Sequence, residues 1–148
     1  MPRLLSENTP DVAVLQLGNE DLVSSKADAD TGNLTDTIVQ NTSRVVVALR
    51  ASNSKVKIII TQALTTKGAE AATMQLNQKI SQYVLSHSTS EQPMALAAVP
   101  EGFDVFVDLT NDGTLTSSTC AQKMAATIAS SIQPFLGPAA GRAGESKP

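Results

Sequence analysis

The sequence is poor in cysteine, in aromatic residues and in positive charge. Its 148 residues include one cysteine, one histidine, one tyrosine, three phenylalanines and no tryptophan, and the formal net charge is −3. Proteins that bind nucleic acid or anionic membranes usually carry a basic surface, and those that bind single strands stack bases on aromatic rings. We therefore expect neither nucleic acid nor a membrane as a partner. A single cysteine forms no internal disulfide, so the sequence does not identify a redox compartment.

Long apolar runs are missing as well. The longest runs, residues 45–49 and 57–61, are far shorter than the about 20 residues that a helix needs to span a bilayer. Residues 1–7 lack the apolar stretch and the small-residue cleavage site of a signal peptide. Asn33 and Asn41 begin glycosylation sequons, which matter only in a secreted chain. The composition thus leaves the location of the protein unknown.

The apolar residues that are present follow a pattern typical of an α/β fold. Short apolar or β-branched runs predict buried strands at residues 11–18, 55–64 and 94–99. Apolar side chains spaced four apart predict helices at residues 34–50, 72–84 and 117–133. Strands that alternate with helices of this length form right-handed βαβ units and a parallel sheet. We predict one three-layer α/β/α domain over residues 1–136 and a disordered tail over residues 137–148, which lack apolar periodicity.

Four short segments carry a resemblance to a known family. The predicted first strand ends in Gly-Asn-Glu-Asp at residues 18–21, and Leu76-Asn77 lies in the second helix. Residues 112–116 read Asp-Gly-Thr-Leu-Thr, and Gln-Lys-Met-Ala follows at residues 122–125. In their order and spacing these segments resemble the SGNH hydrolases, the GDSL-type esterases and lipases. That family has a Gly-x-Asn-Asp block after a strand and an Asp-Gly-x-His-Pro block before its last helix. The resemblance covers residues 4–136.

The resemblance implies an SGNH/flavodoxin-like sheet that lacks the family's first strand, in a domain that is N-terminally truncated and catalytically degenerate. The Gly-Asp-Ser block of the family's nucleophile and its oxyanion-hole glycine have no counterpart here. Glu20 replaces the oxyanion-binding Asn and Leu115 replaces the catalytic His, so that only Asp112 matches. Loss of the Ser or the His of such a triad costs roughly 10⁶ in turnover. The resemblance therefore implies no ester hydrolysis by the family mechanism, and no cofactor or metal.

Several functions remain open at this point. The first hypothesis is a non-catalytic domain that acts by binding or protein interaction, for example as a secreted effector or elicitor. The family's extracellular use would then give the location. The alternative is a truncated or trans-completed esterase that hydrolyses acetyl or other short-chain esters of a carbohydrate or lipid. Because the first strand is lacking, residues 12–17, from Val12 to Leu17, would form an open sheet edge. We predict that a second copy of the chain or another protein pairs there, unless the N-terminal segment covers it.

The acidic residues allow two interpretations. Asp112 either retains the place of the family's catalytic acid or belongs to an ordinary Asn-Asp-Gly turn, which we favour. Glu20, Asp21 and Asp112 would attract a hard cation if they met at the carboxyl end of the sheet. No ligand spacing is diagnostic, so a solvated acidic loop is the favoured interpretation.

The remaining reactive side chains are expected to be structural. His87 is predicted to lie in an exposed polar loop at the amino end of the sheet, far from any catalytic site. Cys120 lies on the apolar stripe of the last helix and is predicted to be a buried thiol rather than a reactive thiolate. Lys55 and Lys57 flank the second strand and are predicted to be solvated.

Overall fold

The computed structural model describes residues 9–24, 31–110 and 117–136. These residues form three strands and four helices, with two helices after the first strand and one after each of the others. The strands are β1 (Val12–Leu15), β2 (Lys57–Thr61) and β3 (Met94–Ala97), and the helices are α1 (Asn19–Ser24), α2 (Thr31–Ser52), α3 (Glu70–His87) and α4 (Ser118–Leu136).

The strands form one parallel sheet in the order β1-β2-β3. Val12 lies opposite Lys57 at the start of the first pair, and Ile58 lies opposite Met94 at the start of the second. The prediction of a parallel sheet is confirmed. Of the strands in the described ranges, β1 and β3 lie at the two edges.

Both faces of the central strand are covered. Ile58, Ile59 and Ile60 are almost completely buried. Because side chains alternate along a strand, Ile58 and Ile60 point to one face, where they join the core formed with α1, α2 and α3. Helix α4 packs on the opposite face against β2 and β3. The run of β-branched residues thus has the environment expected of a central parallel strand, and the three-layer prediction is confirmed.

The boundaries differ from the predicted ones in a consistent direction. The strands are shorter than predicted. Helix α2 extends beyond its predicted range at both ends, and α4 extends beyond its range at the C-terminal end. The prediction that Glu20 and Asp21 lie in a loop is wrong, because residues 19–24 form the short helix α1, whose Leu22 is buried in the core. Glu20 and Asp21 lie in its first turn, where negative charge interacts favourably with the helix dipole.

A membrane-spanning helix is not found in this part of the chain. None of the helices in the described ranges is both long enough and apolar enough to cross a bilayer. The predicted disordered tail, residues 137–148, lies outside the described residues.

Candidate functional site

The carboxyl end of β1 closes in a turn that only glycine fits well. Gly18 is buried and has a φ of 97°, a backbone conformation that residues other than glycine rarely adopt. A Cβ atom at this position would lie 2.9 Å from Ile38 Cγ2 and 2.9 Å from Leu76 Cδ2. The close approach brings the start of α1 against α2 and α3, and the carbonyl of Gly18 accepts a hydrogen bond from Leu22 N (3.0 Å). The turn therefore fixes where the residues after β1 lie.

Two asparagines hold the loop that follows β2. Asn19 donates from Nδ2 to Leu64 O (3.2 Å) and accepts from Leu64 N at Oδ1 (3.2 Å). Asn77 makes the same pair of bonds with Ala63, at 3.0 Å and 2.8 Å. Consecutive peptide groups that leave the sheet are thus satisfied by side chains from α1 and α3. This arrangement joins the ends of two neighbouring strands, where catalytic and binding groups of open parallel sheets usually lie.

Asn19, which precedes the position of the family's oxyanion-binding Asn, binds the backbone of Leu64. Both polar atoms of the Asn19 side chain bind Leu64, whereas Glu20 and Asp21 are exposed. The exposure of the two carboxylates agrees with the solvated interpretation, although they lie on a helix rather than in a loop.

We expect Asn19→Asp to destabilise the fold by about 1–3 kcal/mol, because a carboxylate cannot donate to Leu64 O and leaves that group unsatisfied. Asn77→Asp is the matched variant, since it breaks the same bond to Ala63. Urea unfolding of both variants at neutral pH measures the effect. Two variants as stable as the native chain would contradict the role of these asparagines.

An ion pair between a buried carboxylate and a partly exposed lysine joins the loop after β3 to α4. The carboxylate of Asp108 is completely buried, and its Oδ2 accepts from Lys123 Nζ (2.7 Å) and from Asp104 N (2.9 Å). Lys123 and Asp104 together hold the pKa of Asp108 below its ordinary value. The backbone carbonyl of Asp108 also accepts from Ser117 N (2.8 Å). Residues 108 and 117 are thereby held together at the two ends of the segment that contains Asp112.

The predicted remnant of the catalytic site lies within that segment. Asp112 and Leu115 are outside the described residues, so their assignment stays a prediction. Among the residues that are described, no group of three or more His, Cys, Asp or Glu side chains could hold a metal ion. The possible cation site of Glu20, Asp21 and Asp112 has one member outside these residues and also stays untested.

Cys120 lies on the same side of the sheet as the ion pair. Its side chain is fully buried and packs with Leu64 and Met124, which confirms the prediction of a buried thiol. Burial raises the pKa of the Cys120 thiol, and the negative charge of Asp108 raises it further. A thiol in this state is a poor nucleophile at neutral pH.

The amino end of the sheet holds the only histidine of the sequence. His87 is exposed, as predicted, but it is the last residue of α3 rather than part of a loop. Its ring stacks on Tyr83, with 4.2 Å between the ring centroids. Arg50 donates to the carbonyl of His87 (3.1 Å) and to that of Gln92 (3.0 Å). His87 therefore has a structural environment at the end of the sheet opposite to Gly18.

One of the two flanking lysines differs from the prediction. Lys55 is exposed, but Lys57 is only half exposed and donates from Nζ to Phe135 O (2.7 Å) near the end of α4. The prediction that Lys57 is solvated is therefore wrong. Its partner is 78 residues away in sequence, so no local pattern indicated the contact.

An open groove of about 690 Å³ runs beside α3 and was not predicted. Amide and hydroxyl side chains line most of it. Gln62 accepts from Val99 N (3.1 Å) and donates to Ser81 Oγ (3.2 Å). Asn77 binds Ala63 as described above. The buried part of the lining is thus occupied by structural hydrogen bonds, and the exposed part consists of Met74, Gln78 and Gln82.

Three solved structures have a similar fold. They are a carbohydrate esterase of family 3 from Talaromyces cellulolyticus (TM-score 0.73, 24% identity), an acetyl esterase mutant with an acetate ion (TM-score 0.74, 25% identity) and a family 3 carbohydrate esterase from Clostridium thermocellum (TM-score 0.68, 20% identity). The alignments cover 89%, 89% and 91% of this chain. The chain has an SGNH-type esterase fold. The resemblance predicted from the motifs is thus confirmed at the level of architecture.

The SGNH-type likeness covers only part of the similar structures. The chain spans about three fifths of their length, with 61%, 61% and 62% of those chains covered. No protein-family model matches the sequence, and no curated protein matches it either. The activity of the whole esterases therefore does not transfer to this chain without a separate argument.

Proposed function

We propose that this chain is a non-catalytic SGNH-type domain that acts by binding a protein partner. The observation that carries the proposal is the pair of residues after Gly18. Glu20 stands where the family has its oxyanion-binding Asn, and its carboxylate is exposed at the end of β1. A negative charge there would repel a developing oxyanion. The adjacent Asn19 does not stand at this position, and its amide is held against Leu64 by bonds to both of its polar atoms.

The other catalytic positions support the same proposal. The chain has no Gly-Asp-Ser block, and Leu115 stands where the family has its general base. Leucine can neither accept nor return a proton. An Asp112 that has no His to orient would add nothing to catalysis.

We expect the purified chain to hydrolyse p-nitrophenyl acetate no faster than buffer, because it lacks a nucleophile and a base. Glu20→Asn restores the amide of the oxyanion hole and should also remain at background. Asp112→Asn is the control, since it removes the one matching catalytic residue without changing the size of the side chain. Turnover by the native chain that disappears in Asp112→Asn would contradict the proposal.

A trans-completed esterase is the second candidate. It is favoured by the position of β1 at a sheet edge and by the partial coverage of the similar esterases. In this case a separate segment with a Gly-Asp-Ser strand would pair with β1, and the substrates would be acetyl or other short-chain esters of a carbohydrate or lipid. A synthetic peptide of that type, added to the chain in the same assay, distinguishes the candidates. Hydrolysis that requires both the peptide and Asp112 would favour the esterase.

A further inference from the structure

The outer edge of β1 presents backbone groups to which no described residue forms a hydrogen bond. Lys57 N donates to Asp11 O (3.0 Å), so the backbone groups of Asp11 face β2. Because successive residues of a strand direct their backbone groups to alternate sides, Ala13 and Leu15 also face β2. The N–H and C=O groups of Val12 and Val14 therefore point away from the sheet. Such a row of unpaired groups is a template for another strand.

Apart from its short length, β1 itself has none of the protecting residues that usually prevent pairing. Edge strands are commonly protected by Lys, Pro or a bulge, but β1 reads Val-Ala-Val-Leu. Apolar side chains on and just after β1 are also accessible, since Val14 is 42% exposed and Leu17, two residues beyond the strand, is 36% exposed. Val23 of α1, close in sequence, is 42% exposed as well. A strand that pairs with β1 would cover apolar surface and satisfy backbone groups together.

The geometry of β1 suits a second copy of the same strand. In an antiparallel arrangement with a two-fold axis at Ala13, Val12 lies opposite the partner's Val14, and the reverse pair follows by symmetry. Both pairs are of the hydrogen-bonded type, so roughly four backbone bonds form and all outward groups of Val12 and Val14 are used. The valine side chains of the two copies then contact each other across the strands on one face.

The charges around β1 favour the same antiparallel orientation. The exposed carboxylates of Glu20 and Asp21 follow its carboxyl end. At its amino end the exposed Asp11 is offset by the exposed Lys55, which lies two residues before the partner of Val12. A parallel pair would bring the acidic carboxyl ends of the two copies together, whereas an antiparallel pair keeps them apart.

We propose that the chain forms a homodimer through antiparallel pairing of β1, which joins two three-stranded sheets into one continuous sheet. This inference rests on the proposed binding function, because it names a second copy as the protein partner. The strand is short, and the buried area is expected to fall below the roughly 1,200 Å² of stable complexes. The dimer should therefore be reversible and should increase with concentration through the micromolar range.

Light scattering after size exclusion, over a series of protein concentrations, tests the proposal with a pair of variants. Val14→Pro removes an outward N–H without removing a bond to β2, a position where sheets tolerate proline. Val14→Thr keeps the N–H and the β-branched shape. We expect a concentration-dependent dimer for the native chain and Val14→Thr, and a monomer for Val14→Pro. A native chain that stays monomeric throughout the series would overturn the proposal.

Disulfide trapping tests the register and does not depend on the folding of the proline variant. With the axis at Ala13, the Cα atoms of Val12 and the partner's Val14 would be about 5.5 Å apart, within the range that a disulfide spans. A mixture of Val12→Cys and Val14→Cys chains should therefore form a covalent dimer under mild oxidation. Each variant alone should not. Leu85→Cys, at an 81% exposed site on α3, controls for random collision. No covalent dimer in the mixture, or one from either variant alone, would overturn this pairing.

The ester assay separates this inference from the function on which it rests. A monomeric chain without hydrolysis would overturn the dimer and leave a binding role with a different partner. A dimer that hydrolyses p-nitrophenyl acetate would overturn the non-catalytic role and leave the pairing of β1 intact.

Discussion

Gly18→Ala is expected to destabilise the folded state by about 2–5 kcal/mol. Two separate effects contribute to this loss. The φ of 97° is unfavourable for any residue with a Cβ atom. The new methyl group would also lie 2.9 Å from side-chain atoms of both Ile38 and Leu76, which belong to the main core. Because proteins of this size have only about 5–15 kcal/mol of stability, the variant should be visibly less folded at physiological temperature.

Gly68→Ala is the matched control for the backbone effect. Gly68 has a similar φ of 87°, but a Cβ atom there would have no neighbour within 4 Å. We expect this variant to lose only the conformational part, about 1–2 kcal/mol. Urea unfolding of the two variants gives the difference, which measures the collision with the core. Equal losses for the two glycines would show that the close packing around Gly18 does not contribute.

The general architecture could be predicted from the sequence because it depends on periodic patterns. The run Ile58-Ile59-Ile60 indicated a strand covered on both faces, and this arrangement is found. The four-residue spacing of Leu76, Ile80 and Val84 indicated α3, where all three are buried. These patterns arise from burial itself, so they are visible without knowledge of any particular contact.

Features that depend on tertiary contacts were not predictable in this way. Helix α1 has six residues, too few to show a helical period, and its single buried side chain is Leu22. The contact of Lys57 with Phe135 O and the bonds of Asn19 and Asn77 to the loop after β2 connect distant parts of the chain. The sequence does not show whether a single polar side chain will bind a backbone group or water.

Buried threonines in the helices illustrate the same limit. Thr35 and Thr42 of α2 are almost completely buried, although threonine usually indicates an exposed or capping position. The hydroxyl of Thr42 donates to Ile38 O (2.9 Å), and that of Thr35 donates to Thr31 O (3.0 Å). Because the hydroxyl is satisfied within the helix, the methyl group can pack in the core without an unpaired polar atom.

The residues that position the carboxyl end of the sheet are distinct from those that the family uses for catalysis. Gly18, Asn19, Asn77 and Asp108 hold the ends of the strands through packing and hydrogen bonds. None of these contacts requires a nucleophile, a base or an oxyanion donor. The stability of this fold therefore does not depend on catalytic residues, as the proposed binding function requires.

Lys123→Met is expected to cause the second large loss of stability, at neutral pH. The native ammonium group binds Asp108 Oδ2 (2.7 Å) and Gly102 O (2.7 Å). The other carboxylate oxygen of Asp108, Oδ1, is buried without a partner among the described residues. Methionine would fill similar space but would leave a buried carboxylate with only the N–H of Asp104 to stabilise its charge. Removal of one partner from a buried pair is strongly destabilising.

The pH dependence of this loss identifies its cause. In the native chain the pKa of Asp108 is lowered by Lys123. The pair therefore adds stability above the unfolded pKa of about 3.9, and this contribution is lost as the pH falls through the lower folded value. In Lys123→Met, burial should instead raise the pKa of Asp108, so that protonation relieves the unpaired charge. The variant should be furthest from the native chain near neutral pH, and the difference should shrink toward pH 4.

Lys79→Met is the matched control because it breaks a similar ion pair at the surface. Lys79 Nζ lies 2.6 Å from Asp36 Oδ1, but the Asp36 side chain is 72% exposed, whereas that of Asp108 is 0% exposed. An exposed pair contributes about 1 kcal/mol or less, and Lys79 also donates to Gly32 O (3.2 Å) and to Thr35 Oγ1 (2.9 Å). The control should therefore lose some stability at every pH but show no such pH dependence, because the carboxylate of Asp36 stays in contact with water. Urea midpoints measured from neutral pH to pH 4 compare the two variants. Adding Asp108→Asn to Lys123→Met should recover part of the stability at neutral pH, because the buried charge is then absent. If Lys123→Met and Lys79→Met lose the same stability at every pH, the buried carboxylate of Asp108 does not depend on its lysine.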